Sequence, residues 1–189
     1  MLFDSYPHIT AAFEKMMADY GESIDKAETQ KMFEINFATV FNHFGTTDLQ
    51  KAQFKEYEHD NLLEPIAVPF ENTCRTLKAI FDSGNKNFLY THRGNSVYYY
   101  LKEYKLYDYF TDFVTSHDGF PSKPAPDAIL HLIKKHNLNP AETLMSGDRE
   151  IDVMAGKNAG VYGCLFSKSE RETKADFLVD DIIKIIDLG

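Results

Sequence analysis

Two aspartates four residues apart, Asp148 and Asp152, follow the apolar run Leu144-Met-Ser-Gly147. An acid that closes a buried strand stands where parallel-sheet proteins bind ligands, outside the carboxyl ends of the strands. If Arg149 opens a helix, Asp152 lies one turn further on, and both carboxylates converge on one point, as a hard cation such as Mg2+ requires. The same residues also fit a helix N-cap followed by a solvated acid in the first turn, where the helix dipole favours it. Two more polar stations precede this one. Thr91-His-Arg-Gly-Asn95 follows the apolar stretch Asn87-Phe-Leu-Tyr90; its hydroxyl and backbone amides suit phosphate oxygens, or an ordinary capping loop. Gly119-Phe-Pro-Ser-Lys-Pro-Ala-Pro-Asp127 sets Lys123 among prolines that hold the chain extended. An exposed lysine is ordinarily only solvated, but one gripped at a strand end can neutralise a phosphate.

The elements that position these stations follow from periodicity. From residue 69 onward helices and short apolar strands alternate: helix 69–81, strand 87–91, helix 96–104, strand 113–116, helix 126–136, strand 143–146, helix 149–159, strands 161–166 and 177–179, and a last helix 181–188. This order predicts an α/β fold, a Rossmann-like parallel sheet with helices on both faces. Residues 5–65 differ. Ile9, Phe13, Met16, Met17 and Tyr20 recur at helical spacing, and further amphipathic segments cover 25–36, 37–44 and 48–63. No strand of useful length is expected before residue 85, so this part reads as a small all-helical unit, with Phe13, Phe33, Phe41, Phe54 and Tyr57 as its packed core.

Composition narrows the function classes. The 189 residues are 43% hydrophobic and 26% charged, ordinary for a soluble globular chain. A net charge of −9 argues against nucleic acid as a partner, which needs clustered Lys and Arg. Cys74 and Cys164 stand apart with no metal-binding spacing, so buried free thiols in a reducing compartment are expected. There is no signal-like segment and no apolar run of about 18 residues, so a cytoplasmic protein with no membrane association is expected.

Thr91, Lys123 in Lys-Pro-Ala-Pro and Gly147-Asp-Arg-Glu-Ile-Asp152, in this order behind a helical segment, resemble the second, third and fourth motifs of the haloacid dehalogenase-like hydrolases. The likeness is to the phosphoglycolate-phosphatase-like branch, and it extends over nearly the whole chain. It implies a helical cap domain at 5–65 and an α/β core at 66–189 plus the few residues before the cap. It also implies a Mg2+-dependent phosphatase acting on a small phosphorylated metabolite through an aspartyl-phosphate. Thr91, His92, Arg93 and Lys123 would bind phosphate, Thr91 and Lys123 serving catalysis, and Asp148 and Asp152 would hold the metal. Asn42, His43 and His59 in the cap would be substrate readers, or plain surface and packing residues.

One part of the resemblance is missing. The family's Asp-x-Asp-Gly-Thr, which carries its nucleophile and general acid/base, occurs nowhere in these 189 residues. Asp4 does not replace it, since too few residues precede it to build a buried strand and Tyr6 stands where the second acid would be. The family's first strand lies mid-sheet; without it, its neighbours would face each other across about 9–10 Å, two strand spacings. The expectation is therefore an N-terminally truncated, inactive chain lacking some ten to fifteen residues (roughly one strand and loop), with weak Mg2+ affinity. A non-catalytic protein that keeps the pocket for binding is the alternative.

Overall fold

The structure, a computed structural model, describes residues 2–60, 63–168 and 172–188. The chain divides into two units: Phe3–Val68, and Pro69–Gly189 together with Met1–Leu2.

Four helices build the first unit. α1 (Tyr6–Asp19) carries Pro7 in its first turn, where a missing N–H costs no hydrogen bond. α2 (Lys26–Ile35) starts where the Asp25 side chain accepts the Glu28 N–H at 2.9 Å. Asn36 does the same for α3 (Phe37–His43) through Thr39 N–H at 2.8 Å, and a Thr47–Gln50 capping box opens α4 (Asp48–Glu58). Phe13 is fully buried and meets Phe33, Phe41, Phe44 and Phe54 at centroid distances of 5.2–6.3 Å. Of the expected core, Phe13, Phe33 and Phe54 are buried, while Phe41 and Tyr57 are only partly covered. Tyr57 lies at the margin because its hydroxyl donates to Asp19 Oδ2 at 2.6 Å.

Two sequence expectations change here. The fourth helix stops at Glu58 rather than 63, and Asn61 and Leu62 fall outside the described residues. The buried His8 ring faces the chain leaving that helix, with Nε2 2.9 Å from Glu58 O and Nδ1 3.1 Å from Leu63 O. Two short strands, β1 (Phe3–Asp4) and β2 (Val68–Pro69), pair with each other; at two residues each they are too short to leave a periodic pattern in the sequence.

In the second unit α5 (Thr73–Asp82) precedes β3 (Asn87–Tyr90), α6 (Ser96–Glu103) precedes β4 (Phe110–Val114), and α7 (Asp127–His136) precedes β5 (Leu144–Gly147). α8 (Glu150–Asn158), β6 (Tyr162–Phe166) and β7 (Phe177–Val179) follow. All pairings among β3–β7 are parallel: β3 with β4, and β5 with β6 and β6 with β7. The interrupted sheet expected from the sequence is observed, because among the described residues β3 and β5 are both edge strands and no ladder joins the two groups. Tyr90 and Met145 nevertheless pack on one cluster of Ile129, Ala155, Ala159 and Val161, so both groups share a helical layer.

Alternation along β5 and β6 shows why both sheet faces are covered. Met145 faces α8, where Gly156 admits it so closely that a Cβ would stand 2.6 Å from Met145 Cβ. Leu144, Cys164 and Phe166 point the other way, toward Ile185 and Leu188. The last segment, Ile182–Leu188, is a 3₁₀ helix rather than the expected α-helix. Its apolar residues Ile182, Ile185 and Leu188 repeat every third position, the period of a 3₁₀ turn. β4 starts and ends earlier than the expected 113–116. Its Asp112 is bound by Lys135 and His136 of α7, which breaks the apolar pattern, and Thr115 turns the chain by pairing with Asp118. Cys164 is buried as expected, but Cys74 is exposed, since α5 buries Thr73, Thr76 and Leu77 on its other side.

Phe13 is the ring on which the helical core converges. Phe13→Ala should lower unfolding stability by about 3–5 kcal/mol, the usual cost of emptying a buried aromatic site; urea denaturation followed by far-UV circular dichroism measures it.

Candidate functional site

The carboxyl ends of β3 and β5 and the segment after β4 bring the sequence-predicted residues together. β3 closes with Thr91, whose N–H still donates to Val114 O of β4 at 2.9 Å. The Thr91 hydroxyl oxygen then accepts Arg93 N–H at 3.0 Å, which turns the chain off the strand. With its lone pair engaged, the hydroxyl keeps its own proton to donate to an anionic oxygen.

Lys123 is the centre of the arrangement. Its side chain is only 7% exposed, and Nζ donates to Asp152 Oδ1 at 2.7 Å and to Tyr90 O at 3.3 Å. It also lies 4.5 Å from the centroid of the Tyr90 ring. An ammonium has three hydrogens, so one remains for a ligand. The backbone of the segment is tied as well: Lys123 N–H donates to His92 Nε2 at 3.2 Å, and Tyr90 OH donates to Pro121 O at 3.3 Å. Asn158 of α8 donates to Pro124 O at 2.9 Å.

The two aspartates divide. Asp152, 4% exposed at its side chain, has Oδ1 on Lys123 and Oδ2 on Arg149 N–H at 3.1 Å. Gly147 is glycine because Asp152 occupies the space beside it; a Cβ there would stand 2.1 Å from Asp152 Cβ. Asp148 is partly buried. Burial acts upward on its pKa, while the charge of Arg149 and its own backbone N–H act downward. It is ionised at neutral pH.

His92 is pushed below the usual histidine value by the covering of its ring, then by the charges of Lys123 and Arg149, with Asp152 acting against them. The Arg93 guanidinium lies 5.4 Å from the Tyr100 ring centroid. Thus Thr91, His92, Lys123 and Asp152 form one bonded neighbourhood, with Asp148 at the adjoining strand end. The pairing of Lys123 with Asp152 and the part played by Tyr90 had no signal in the sequence, because both depend on where separate strands end. Asn42, His43 and His59 lie in the other unit, the first two exposed.

The described residues do not amount to a Mg2+ site by themselves. No group of three His, Cys, Asp or Glu side chains is gathered among them, and both oxygens of Asp152 are already bonded within the protein. No helix of the described residues is long and apolar enough to cross a membrane.

Comparison with known proteins adds to this geometry. The family model for haloacid dehalogenase-like hydrolases matches residues 1–165. A phosphoglycolate phosphatase from Vibrio vulnificus is 35% identical over 121 residues, 60% of this chain, and the match spans about half (53%) of that relative's length. A pyrophosphatase, PpaX, from Oceanobacillus iheyensis is 25% identical over 197 aligned positions, covering 98% of this chain and 90% of its own. Among solved structures, a hydrolase from Streptococcus pneumoniae aligns with a TM-score of 0.67 and 32% identity over 88% of this chain and 87% of its own. A HAD-superfamily hydrolase from Geobacter sulfurreducens aligns over 99% of this chain and 90% of its own, with a TM-score of 0.77; at 23% identity it speaks to the fold.

Removing one partner of a buried ion pair leaves the other charge stranded, at a cost of about 3–5 kcal/mol. Asp152→Asn should therefore destabilise the protein by about that amount, and Gly147→Ala should disturb the same contact by pushing Asp152 aside. Chemical denaturation of both variants, with the Lys123 and Arg149 backbone resonances as local reporters, checks this.

Proposed function

The chain belongs to the haloacid dehalogenase-like hydrolases, and from that membership we propose that it is a phosphatase of small phosphorylated metabolites, with its anion site at Thr91 and Lys123. The observation that carries this reading is the held lysine. A nearly buried ammonium, held on the carbonyl of the residue that precedes the Thr91 hydroxyl, meets one need of a phosphoryl group, charge neutralisation, and the hydroxyl offers the other, a directed donor. The phosphatases among the relatives support the same chemical class.

In this reading Thr91 donates its hydroxyl proton to one phosphate oxygen and Lys123 gives its remaining N–H to another. Arg93, on the same turn, adds to the positive surround of the bound group, while His92 accepts the Lys123 backbone N–H. Asp152 holds Lys123 in place, and Asp148 is the carboxylate that would face a metal. Mg2+ is the cofactor the family implies; no step is assigned to it here, because two carboxylates, one of them engaged by lysine, do not complete its oxygen shell. The helical unit Phe3–Val68 takes the part of a cap that selects the leaving group.

A second reading is a protein that binds phosphate without hydrolysing it, and a specific observation favours it: no Asp-x-Asp-Gly-Thr occurs in the 189 residues. Turnover of p-nitrophenyl phosphate, with and without Mg2+, and calorimetric titration with orthophosphate separate the two. A phosphatase releases p-nitrophenol, and Lys123→Met abolishes both release and binding. A binding protein takes up orthophosphate through Lys123 with no release. The absence of both binding and turnover would overturn the anion site itself. Mg2+ titrated alone should bind only weakly, at millimolar concentration or above, and tight binding would show that the metal ligands lie elsewhere.

A further inference from the structure

We propose that Tyr90 and His92 are the positioning residues of Lys123, and that His92 performs this role only as a neutral imidazole accepting a hydrogen bond. The inference rests on the reading of Lys123 as a phosphate ligand, but concerns how that lysine is kept in place.

Lys123 sits in a segment with no regular structure, between Asp118 and α7. A lysine on such a support would ordinarily sample many rotamers. Here one short stretch of chain grips it at four points. Tyr90 O accepts from Nζ at 3.3 Å, and the Tyr90 ring lies under the ammonium with its centroid 4.5 Å away. Tyr90 OH reaches Pro121 O at 3.3 Å, two residues before the lysine, and His92 Nε2 accepts the lysine's own N–H at 3.2 Å. Tyr90 and His92 are two residues apart, and their rings meet edge to face at 6.1 Å. They therefore work on one side of the chain, with Thr91 between them. The residue that offers a hydroxyl to the anion is thus flanked by the two that hold its cation.

The chemistry of the His92 contact sets its protonation. A backbone N–H can only donate, so Nε2 must present a lone pair and the ring proton must sit on Nδ1. A doubly protonated ring cannot make this bond. The groups around the ring agree: Lys123 and Arg149 oppose a further positive charge, as does the covering of the ring, and Asp152 alone favours it. The neutral form therefore persists below the pH at which an ordinary histidine charges, and it is lost as pH falls through that lowered value. On the acid side the latch opens. Tyr90, the remaining titratable neighbour, is pushed upward by burial and by Asp152 and Asp127, so it stays a neutral hydroxyl throughout.

Nitrogen-15 spectra of the imidazole, recorded on the full chain at pH 7.5, test the core of the proposal. The expected pattern is an unprotonated Nε2 and a protonated Nδ1 at His92, and the opposite tautomer would overturn the assignment. His92→Gln keeps an acceptor at the same reach, whereas His92→Phe keeps the ring shape without one. Lys123 amide exchange should be unchanged in the glutamine variant and about fivefold faster in the phenylalanine variant, the scale of one net hydrogen bond. Equal exchange in both would overturn it. Orthophosphate affinity should follow the same order, and should weaken for wild type but not for His92→Gln as pH falls below the ordinary histidine range. Should no variant bind orthophosphate, the anion-site reading fails, while the tautomer and the exchange rates still decide the positioning role.

Discussion

Lys123 and Asp152 are buried together, with Nζ 2.7 Å from Oδ1 and both side chains less than a tenth exposed. Taking two ions out of water costs several kcal/mol each, and their attraction offsets this only if the remaining donors and acceptors are also satisfied. Here they are. Tyr90 O receives a second hydrogen from Lys123, and Arg149 N–H donates to the second oxygen of Asp152. Three chain segments that meet nowhere in sequence are thereby fixed to one another: the end of β3, the proline-rich segment before α7, and the first turn of α8. Gly147 and the approach of Gly156 to Met145 follow from the same constraint, since α8 must lie close against the strands for Asp152 to reach the lysine.

The sequence showed the parts of this arrangement better than their connections. Alternating helices and apolar strands gave the α/β order, and the amphipathic segments expected at 25–36, 37–44 and 48–63 each hold a helix, opened by the caps Asp25, Asn36 and Thr47. Strand ends were less legible. β4 is displaced because Asp112 is held by side chains of α7, an interaction 23 and 24 residues away in sequence (135 − 112 and 136 − 112). The helix expected at 181–188 takes the 3₁₀ form, which fits an apolar residue at every third position from Ile182. Thr91, Lys123 and Asp152 were singled out by type and spacing. That Asp152 bonds lysine, and that Tyr90 and His92 grip the same lysine, depends on side-chain directions at separate strand ends, which no local pattern encodes.

Breaking the parallel strands into two groups has a consequence for the site. Between β3 and β5 no backbone ladder holds the strand ends in register, so the bonds that span this break are made by side chains and by the helical layer beneath. Tyr90 and Met145 share that layer through Ile129, Ala155 and Val161, an apolar contact without direction. Directional links come from Lys123, whose ammonium touches the end of β3 and the helix that follows β5 at once. A residue suited to binding an anion is therefore also a strut of the fold, and changes at that position act on both properties together.

Asp148 and Asp152 show how position separates two like groups. They share a side chain type and lie one helical turn apart, yet Asp152 is enclosed and paired with a lysine, while Asp148 follows directly on the end of β5. An ordinary carboxylate is already ionised at neutral pH and is a weak base there. Its fitting part is electrostatic: an anion fixed beside a cationic pocket, able to attract a metal or to order the charges around a bound phosphate. Proton transfer at this site, if the chain catalyses it, must fall to a group with an affinity for protons closer to neutrality. Among the residues of the neighbourhood His92 alone has that chemistry, and its lone pair is turned toward the Lys123 amide.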